Sequence, residues 1–240
     1  MQKKWRQIIG IWLVSLLVKP AVVSGYEIIS VTDGGSITGT VKYQGPSPTP
    51  EVLSISKDQE VCGKTEKVSE SLIVGANQGV QNAVVSLVNI QKGKRPVLKS
   101  VTLDQKDCRY NPHVLLVPTG VELAILNNDG ILHNLRTHSQ KNPPINQAQP
   151  KFKKVIKEKF AAPELIKITC DAHTWMSGWL VISEHPYYTV TDANGKFQLS
   201  DIPPGEYELQ VWHETLKGTS QHVRFLPHAT QTTEIELKTP

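Results

Sequence analysis

Short runs of alternating apolar and polar residues, punctuated by Gly, Pro, Asn and Asp, recur along the chain from residue 35 onward. SITGTVKY, NAVVSLVNI, HVLLVP, VELAILN, GWLVI, KFQLSDI and EYELQVW each have the length and the Val, Ile, Leu and Thr content of a β-strand. No long segment brings apolar residues back every 3.6 positions. Lys151 to Phe160 (KFKKVIKEKF) comes nearest to a helix, but it is short and serves equally as a strand with a lysine face in solvent. The pattern predicts an all-β protein of β-sandwich architecture, and the 16 glycines and 16 prolines supply the turns it needs. Asp192, Asn194 and Gly195 suit a tight hairpin, and Pro203-Pro204-Gly205 a second turn.

The N-terminus departs from this pattern. Lys3, Lys4 and Arg6 precede an apolar run from Ile8 to Val18, with small residues following at Val23, Ser24 and Gly25. This is the layout of a secretory signal with cleavage after Gly25, and it predicts a periplasmic or secreted protein. Retention as an anchor is the alternative, although the run is short for a bilayer, and no stable membrane insertion is expected. Four of the 26 basic side chains and none of the 22 acidic ones lie in residues 1–25, so the remainder is formally neutral and gives no sign of nucleic-acid binding. Export also changes how Cys62, Cys108 and Cys170 are read: in an oxidising compartment two can pair and one is left over.

ITCDAHTWMSGWLVI, residues 168–182, sets a thiol, an imidazole and a thioether three apart at Cys170, His173 and Met176, just before an apolar strand. Two His and one Cys in a trigonal arrangement with a long axial Met are the ligands of a type 1 copper site. Two family resemblances give this loop a setting. GSITGTVKYQG and QNAVVSLVNI look like the opening strands of a carboxypeptidase regulatory-like, transthyretin-type sandwich, whose expected continuation appears only at Thr189–Glu214, TVTDANGKFQLSDIPPGEYELQVWHE. The organisation expected is a signal (1–25), a first half-sandwich (26–93), an inserted domain (94–184) and a second half-sandwich (185–240). The insert resembles the cupredoxin family at Tyr110, Pro112, Gly120, Asn127 and His133. NNDGILHN is similar to a plastocyanin motif, and Cys-x-x-His-x-x-Met to the amicyanin loop. The whole resembles exported cupredoxin proteins of the methylamine-utilisation type.

The resemblance implies one type 1 copper ion held by His133, Cys170, His173 and Met176, with the Asn134 backbone amide supporting the thiolate. It implies one-electron transfer with a dehydrogenase or cytochrome as partner, and no enzyme activity of the protein's own. Thr169 and Asp171 depart from the family pattern, and an acidic Asp171 beside the thiolate is expected to alter the potential. If Cys170 is a ligand, Cys62 and Cys108 are left to pair, whereas a disulfide from Cys170 to either is the structural alternative. Trp175 and Trp179 are core or rim aromatics, or else an apolar patch around an exposed edge of His173. His185 and His213 fall at the domain junction, as hydrogen-bonding residues or a second metal site, and His113 and His138 are read as surface or structural. Two rival functions use the same residues: a Cu(I) carrier or store, and a non-metal binding or adhesion module. Neither a Gly-rich phosphate loop nor a Ser/His/Asp pattern is present to support hydrolase chemistry.

Overall fold

The computed structural model describes residues 25–240, so the signal read in residues 1–25 lies, but for Gly25, outside the described residues. In chain order the first strands are β1 (Glu27–Ile28), β2 (Gly35–Tyr43), β3 (Val84–Val88) and β4 (Lys92–Gly93), with a four-residue helix α1 (Gln59–Cys62) between β2 and β3. Nine strands follow: β5 (Val101–Lys106), β6 (Arg109–Asn111), β7 (Val114–Pro118), β8 (Glu122–Asn127), β9 (His133–Thr137), β10 (Asn146–Gln149), β11 (Val155–Lys159), β12 (Glu164–Thr169) and β13 (Ser177–Ser183). The chain ends with β14 (Tyr188–Val190), β15 (Lys196–Ile202), β16 (Gly205–Trp212), β17 (Thr219–Phe225) and β18 (Thr230–Leu237).

Apart from β1 and β4, which pair with each other, these strands build two β-sandwiches, one interrupting the other. The outer sandwich sets β14-β3-β16-β17 against β15-β2-β18, so β2 and β3 pair only with strands that return after β13. Its core gathers Ile37, Val41, Leu87, Tyr187, Phe197, Leu209 and Phe225 from both sheets. The inner sandwich sets β10-β9-β12-β13-β7 against β11-β8-β5-β6, around Leu103, Tyr110, Leu123, Ile125, Leu135, Ile166 and Leu180. Alternation is the local cause: in ELAILN of β8 every second residue is buried, as expected of a strand with one face on a core. KFKKVIKEKF resolves as the edge strand β11, with Ile156 buried and Lys157 and Lys159 in solvent. Burying one residue in two satisfies this stretch, whereas a helix would leave its apolar residues without a stripe.

β13 is the exception that joins the two halves. SGWLVIS is buried almost throughout, because the strand lies between β12 and β7 and is covered on both faces. Leu180 and Ile182 enter the inner core, while Val181 packs with Val84 and Val114 in a smaller cluster flanked by Trp179, Tyr188 and Trp212. Trp179 and Trp212, one from each sandwich, meet edge to face with ring centroids 4.8 Å apart. The turn residues act differently from the hairpin expected. The Asp192 side chain accepts the N–H groups of Asn194 and Lys196 at 2.8 Å, and Gly195 takes φ +73°. The strands on either side, β14 and β15, nevertheless belong to opposite sheets, as do β15 and β16 around Pro203-Pro204-Gly205. Both turns carry the chain across the sandwich.

The stretch between β2 and β3 does not stay with the outer sandwich. Residues 51–70 form a strap whose arms are joined by Leu53 N–H to Lys67 C=O and Ser69 N–H to Glu51 C=O, both 2.8 Å. Its tip packs Ile55, Val61 and Cys62 onto the inner core. Cys62 is bonded to Cys108, and Cys170 is the free cysteine. Arg109 on β6 pairs with Glu70 at 2.9 Å and donates to the Val68 carbonyl at 2.8 Å, fixing the strap's other end.

Candidate metal centre

Two loops at one end of the inner sandwich bring His133, Cys170 and His173 together. His133 opens β9, directly after the turn that ends at Ile131 and Leu132, and Cys170 follows the last residue of β12. His173 and Met176 lie on the loop that links β12 to β13. The loop is closed by its own backbone: Cys170 N–H donates to the Met176 carbonyl at 3.2 Å, and Met176 N–H to the His173 carbonyl at 2.9 Å. Next to it, Trp179 N–H donates to the His113 carbonyl at 2.8 Å, and Gly178 is needed because a Cβ there would meet that same oxygen at 2.8 Å. A three-residue step from thiol to imidazole to thioether is thus held as one tight turn leading into a strand.

His133, Cys170 and His173 offer donor atoms within 4.8 Å of one another, all buried. Nδ1 of His133 and Nδ1 of His173 lie 3.0 Å apart, and the Cys170 sulfur is 4.0 Å from the first and 3.7 Å from the second. Met176 is buried in the same cluster as Cys170. The far nitrogens of both rings face carboxylates: His133 Nε2 donates to Asp129 and His173 Nε2 to Asp58, each at 2.8 Å. A carboxylate accepts, so each Nε2 carries the hydrogen and each Nδ1 turns its lone pair toward the other ring and the sulfur. Two lone pairs and a thiolate facing one buried point require a cation between them. Their separations are those that one ion bonded at about 2.0 Å to nitrogen and about 2.3 Å to sulfur can span.

In the metal-free site a proton meets this requirement. Burial opposes charge on His133, but hydrogen bonds to Asp129 and Cys170 outweigh it and raise the pKa to about 9. Burial likewise pushes the Cys170 thiol up, yet His133, His173 and the backbone N–H of Asn134 bring it down to about 6. The Asn134 side chain pins the start of the loop from Cys170 to Met176: its Oδ1 accepts the N–H of Asp171 at 2.6 Å and of Ala172 at 3.3 Å. Tyr110 O–H donates to the Asn134 carbonyl at 2.6 Å from the opposite sheet. Asp171 faces solvent, where Arg136 at 3.3 Å and Asn146 at 3.0 Å take up its charge.

The structure corrects the expectation of an exposed His173 edge. His173 is 0% exposed, with Trp175 packed on it at 5.1 Å between ring centroids and the Asp58 carboxylate over its outer nitrogen. Trp179 lies elsewhere, at the junction between sandwiches, where its Nε1–H donates to Glu214 at 3.0 Å. His113 is buried at that junction and hydrogen-bonded to Glu214. His138 is exposed and pairs with Thr169. His185 and His213 are buried: His185 Nδ1 accepts the Tyr187 N–H at 3.3 Å, and His213 bonds Thr215. Among the described residues neither belongs to a convergent group of metal-binding donors.

Asp58 and Asp129 were not singled out from the sequence. Asp129 precedes His133 by four residues inside NNDGILHN, but an Asp between Asn and Gly reads first as turn chemistry. Asp58 lies 115 positions from His173, and its proximity to Cys62 is its only link to the inner sandwich before folding.

No protein family matches the chain, and no curated protein sequence does. Solved structures with partial likeness include a Cu-containing nitrite reductase from Thermus scotoductus SA-01, at 19% identity and a TM-score of 0.34, over 38% of this chain and 24% of that one. A purple cupredoxin from Nitrosopumilus maritimus gives 19% identity and a TM-score of 0.30, over 35% of this chain and 99% of its own. An oxidised variant of amicyanin gives 17% identity and a TM-score of 0.32, over 48% and 94%. Fold and site together define an all-β protein of two nested sandwiches with a buried His–Cys–His cluster.

Proposed function

We propose that His133, Cys170 and His173, with Met176 as axial donor, hold one copper ion, and that the protein exchanges single electrons between redox partners in an exported compartment. The observation that carries this is the orientation of the two imidazoles. With both Nε2–H groups tied to carboxylates, both Nδ1 lone pairs and the Cys170 sulfur are committed to one buried point. Thiolate and thioether favour Cu(I) and imidazole serves both oxidation states, so a copper ion there supplies a one-electron couple. The chain's part is to fix the donors before the ion arrives. Asp129 and Asp58 hold the rings, Asn134 holds the loop, and the strands β9, β12 and β13 hold all of these.

Burial of every donor favours electron transfer over chemistry on a substrate, which needs an open position on the metal. It also weighs against a carrier that hands its ion to another protein, since donors closed off by a cross-linked strap exchange metal slowly. The redox partner is read as a dehydrogenase or a cytochrome. Titrating the protein with Cu(II), followed by visible absorption and electron paramagnetic resonance beside Cys170→Ser, tests the proposal. One equivalent producing an intense thiolate-to-copper band with a small hyperfine splitting, both lost in the variant, is the expected result. A colourless protein, or spectra unchanged by loss of Cys170, overturns it.

A further inference from the structure

We infer that Asp58 is a positioning residue of the metal centre, lent by the outer sandwich's own chain segment, and that the strap bearing it shuts the side on which His173 would otherwise meet solvent. The inference rests on the metal-centre proposal but is read independently of it. Asp58 stands at the strap's tip in the left-handed region, φ 49° and ψ 44°, a conformation L-residues adopt mainly where a local structure demands it. The demand is visible: its carbonyl accepts the N–H groups of Val61 and Cys62 at 3.0 and 2.8 Å, closing the turn whose last residue is the disulfide half-cystine. One turn therefore delivers two bonds across the sandwich boundary, the covalent one to Cys108 and the hydrogen bond from His173.

The exposure of the pair tells which group covers the other. The His173 side chain is 0% exposed and the Asp58 side chain 36%, so the carboxylate stands between the imidazole and water. Asp129 does the equivalent work on His133 from within the inner sandwich, its own side chain only 6% exposed. Hydrogen bonding at Nε2 fixes tautomer and ring plane, makes Nδ1 a better donor, and is the usual way residues behind the ligands tune a metal site. His133 has its carboxylate in the same loop. His173 obtains one only when the strap seats.

The test uses the full chain with Asp58→Asn and Asp58→Ala, and separately the pair Cys62→Ser and Cys108→Ser with Asp58 intact. In the metal-free protein, nitrogen NMR of 15N-histidine reads the His173 tautomer directly. Nε2–H is expected as the single, slowly exchanging form in the parent chain, and a mixed, rapidly exchanging ring in Asp58→Ala. In the copper-loaded protein, transfer of copper to a chelator is expected to quicken by roughly 10–100-fold in Asp58→Ala. Asp58→Asn, which keeps an acceptor without the charge, should fall between, and the unlinked pair should move in the same direction. Folded variants that keep the His173 tautomer and release copper within twofold of the parent rate overturn the inference and reduce Asp58 to a peripheral hydrogen-bond acceptor. A parent chain that binds no copper overturns the metal-centre proposal alone, because the tautomer still reports whether Asp58 holds the ring.

Discussion

Asp129 accepts three N–H groups: Nε2 of His133 at 2.8 Å and the backbone amides of Asp107 and Cys108 at 2.6 and 2.8 Å. A single carboxylate thereby orients the His133 ring and caps the turn that carries the disulfide, and these bonds hold its own pKa below the usual range despite burial. The proton balance of the site follows. Between about pH 6 and about 9 the metal-free cluster pairs a Cys170 thiolate with a protonated His133. Copper entering in that window displaces the His133 proton, so affinity should rise about tenfold per pH unit, level off above it, and steepen below, where the thiol must ionise too. Calorimetric titrations in buffers of different protonation enthalpy count those protons. For folding without metal the two groups oppose each other. The raised pKa of His133 contributes stability below its ordinary 6.5 that fades as pH climbs through about 9, while the lowered pKa of Cys170 contributes above its ordinary 9 and fades as pH falls through about 6. At this scale the cluster of Cys170 and His173 announced itself, since Cys170, His173 and Met176 stand three apart in sequence. Their carboxylates did not, because a single Asp carries no spacing from which to read its partner.

Among elements, regular strands were the readable part. Alternation along β8, β15 and β18 names the buried face residue by residue, and the unbroken apolar run of β13 is accounted for by neighbours on both faces. The strap is the opposite case. Its arms share one isolated bridge, Val52 with Val68, and its position depends on a disulfide, the Arg109–Glu70 pair and the Asp58–His173 bond. Long-range tethers of this kind leave no period in the sequence. The turn opposite the strap follows local chemistry: Asp107 and Cys108 both take positive φ, 55° and 52°, which a two-residue hairpin between β5 and β6 requires. Cross-linking residues 46 positions apart restricts the unfolded chain, so replacing both half-cystines with serine should lower unfolding stability by about 4 kcal/mol. Urea unfolding of the metal-free protein measures this apart from any effect on copper.

Over the whole molecule, the two sandwiches touch through a mixed seam: the Val84–Val114–Val181 cluster, the crossed rings of Trp179 and Trp212, and Glu214, which accepts from both Trp179 and His113. Just past β13, where the chain leaves the inner sandwich, His185 is buried among Tyr26, Tyr187 and Tyr188, and its pKa falls to about 4 because burial disfavours its charge. A histidine held neutral in the fold stabilises it above the unfolded value near 6.5, and the contribution is lost as pH falls from there toward about 4. His213 is shifted the same way by its burial. Stability should therefore drop on the order of 3 kcal/mol on account of His185 across that interval, and His185→Gln should flatten that share of the slope, as urea midpoints at pH 7 and pH 4.5 would record. Strand patterning on both sides of residues 94–184 was readable, whereas the seam was not, since its residues pair only once both sandwiches are folded. Nesting also sets a calendar for the growing chain. Every strand of the inner sandwich has been made once Ser183 is added, but β2 waits for β15 on one side and for β18, ending at Leu237, on the other. A unit that folds as it emerges can finish its inner half while β2 and β3 still wait for their neighbours. Strand β2 is thus made before the inner sandwich and seated after it.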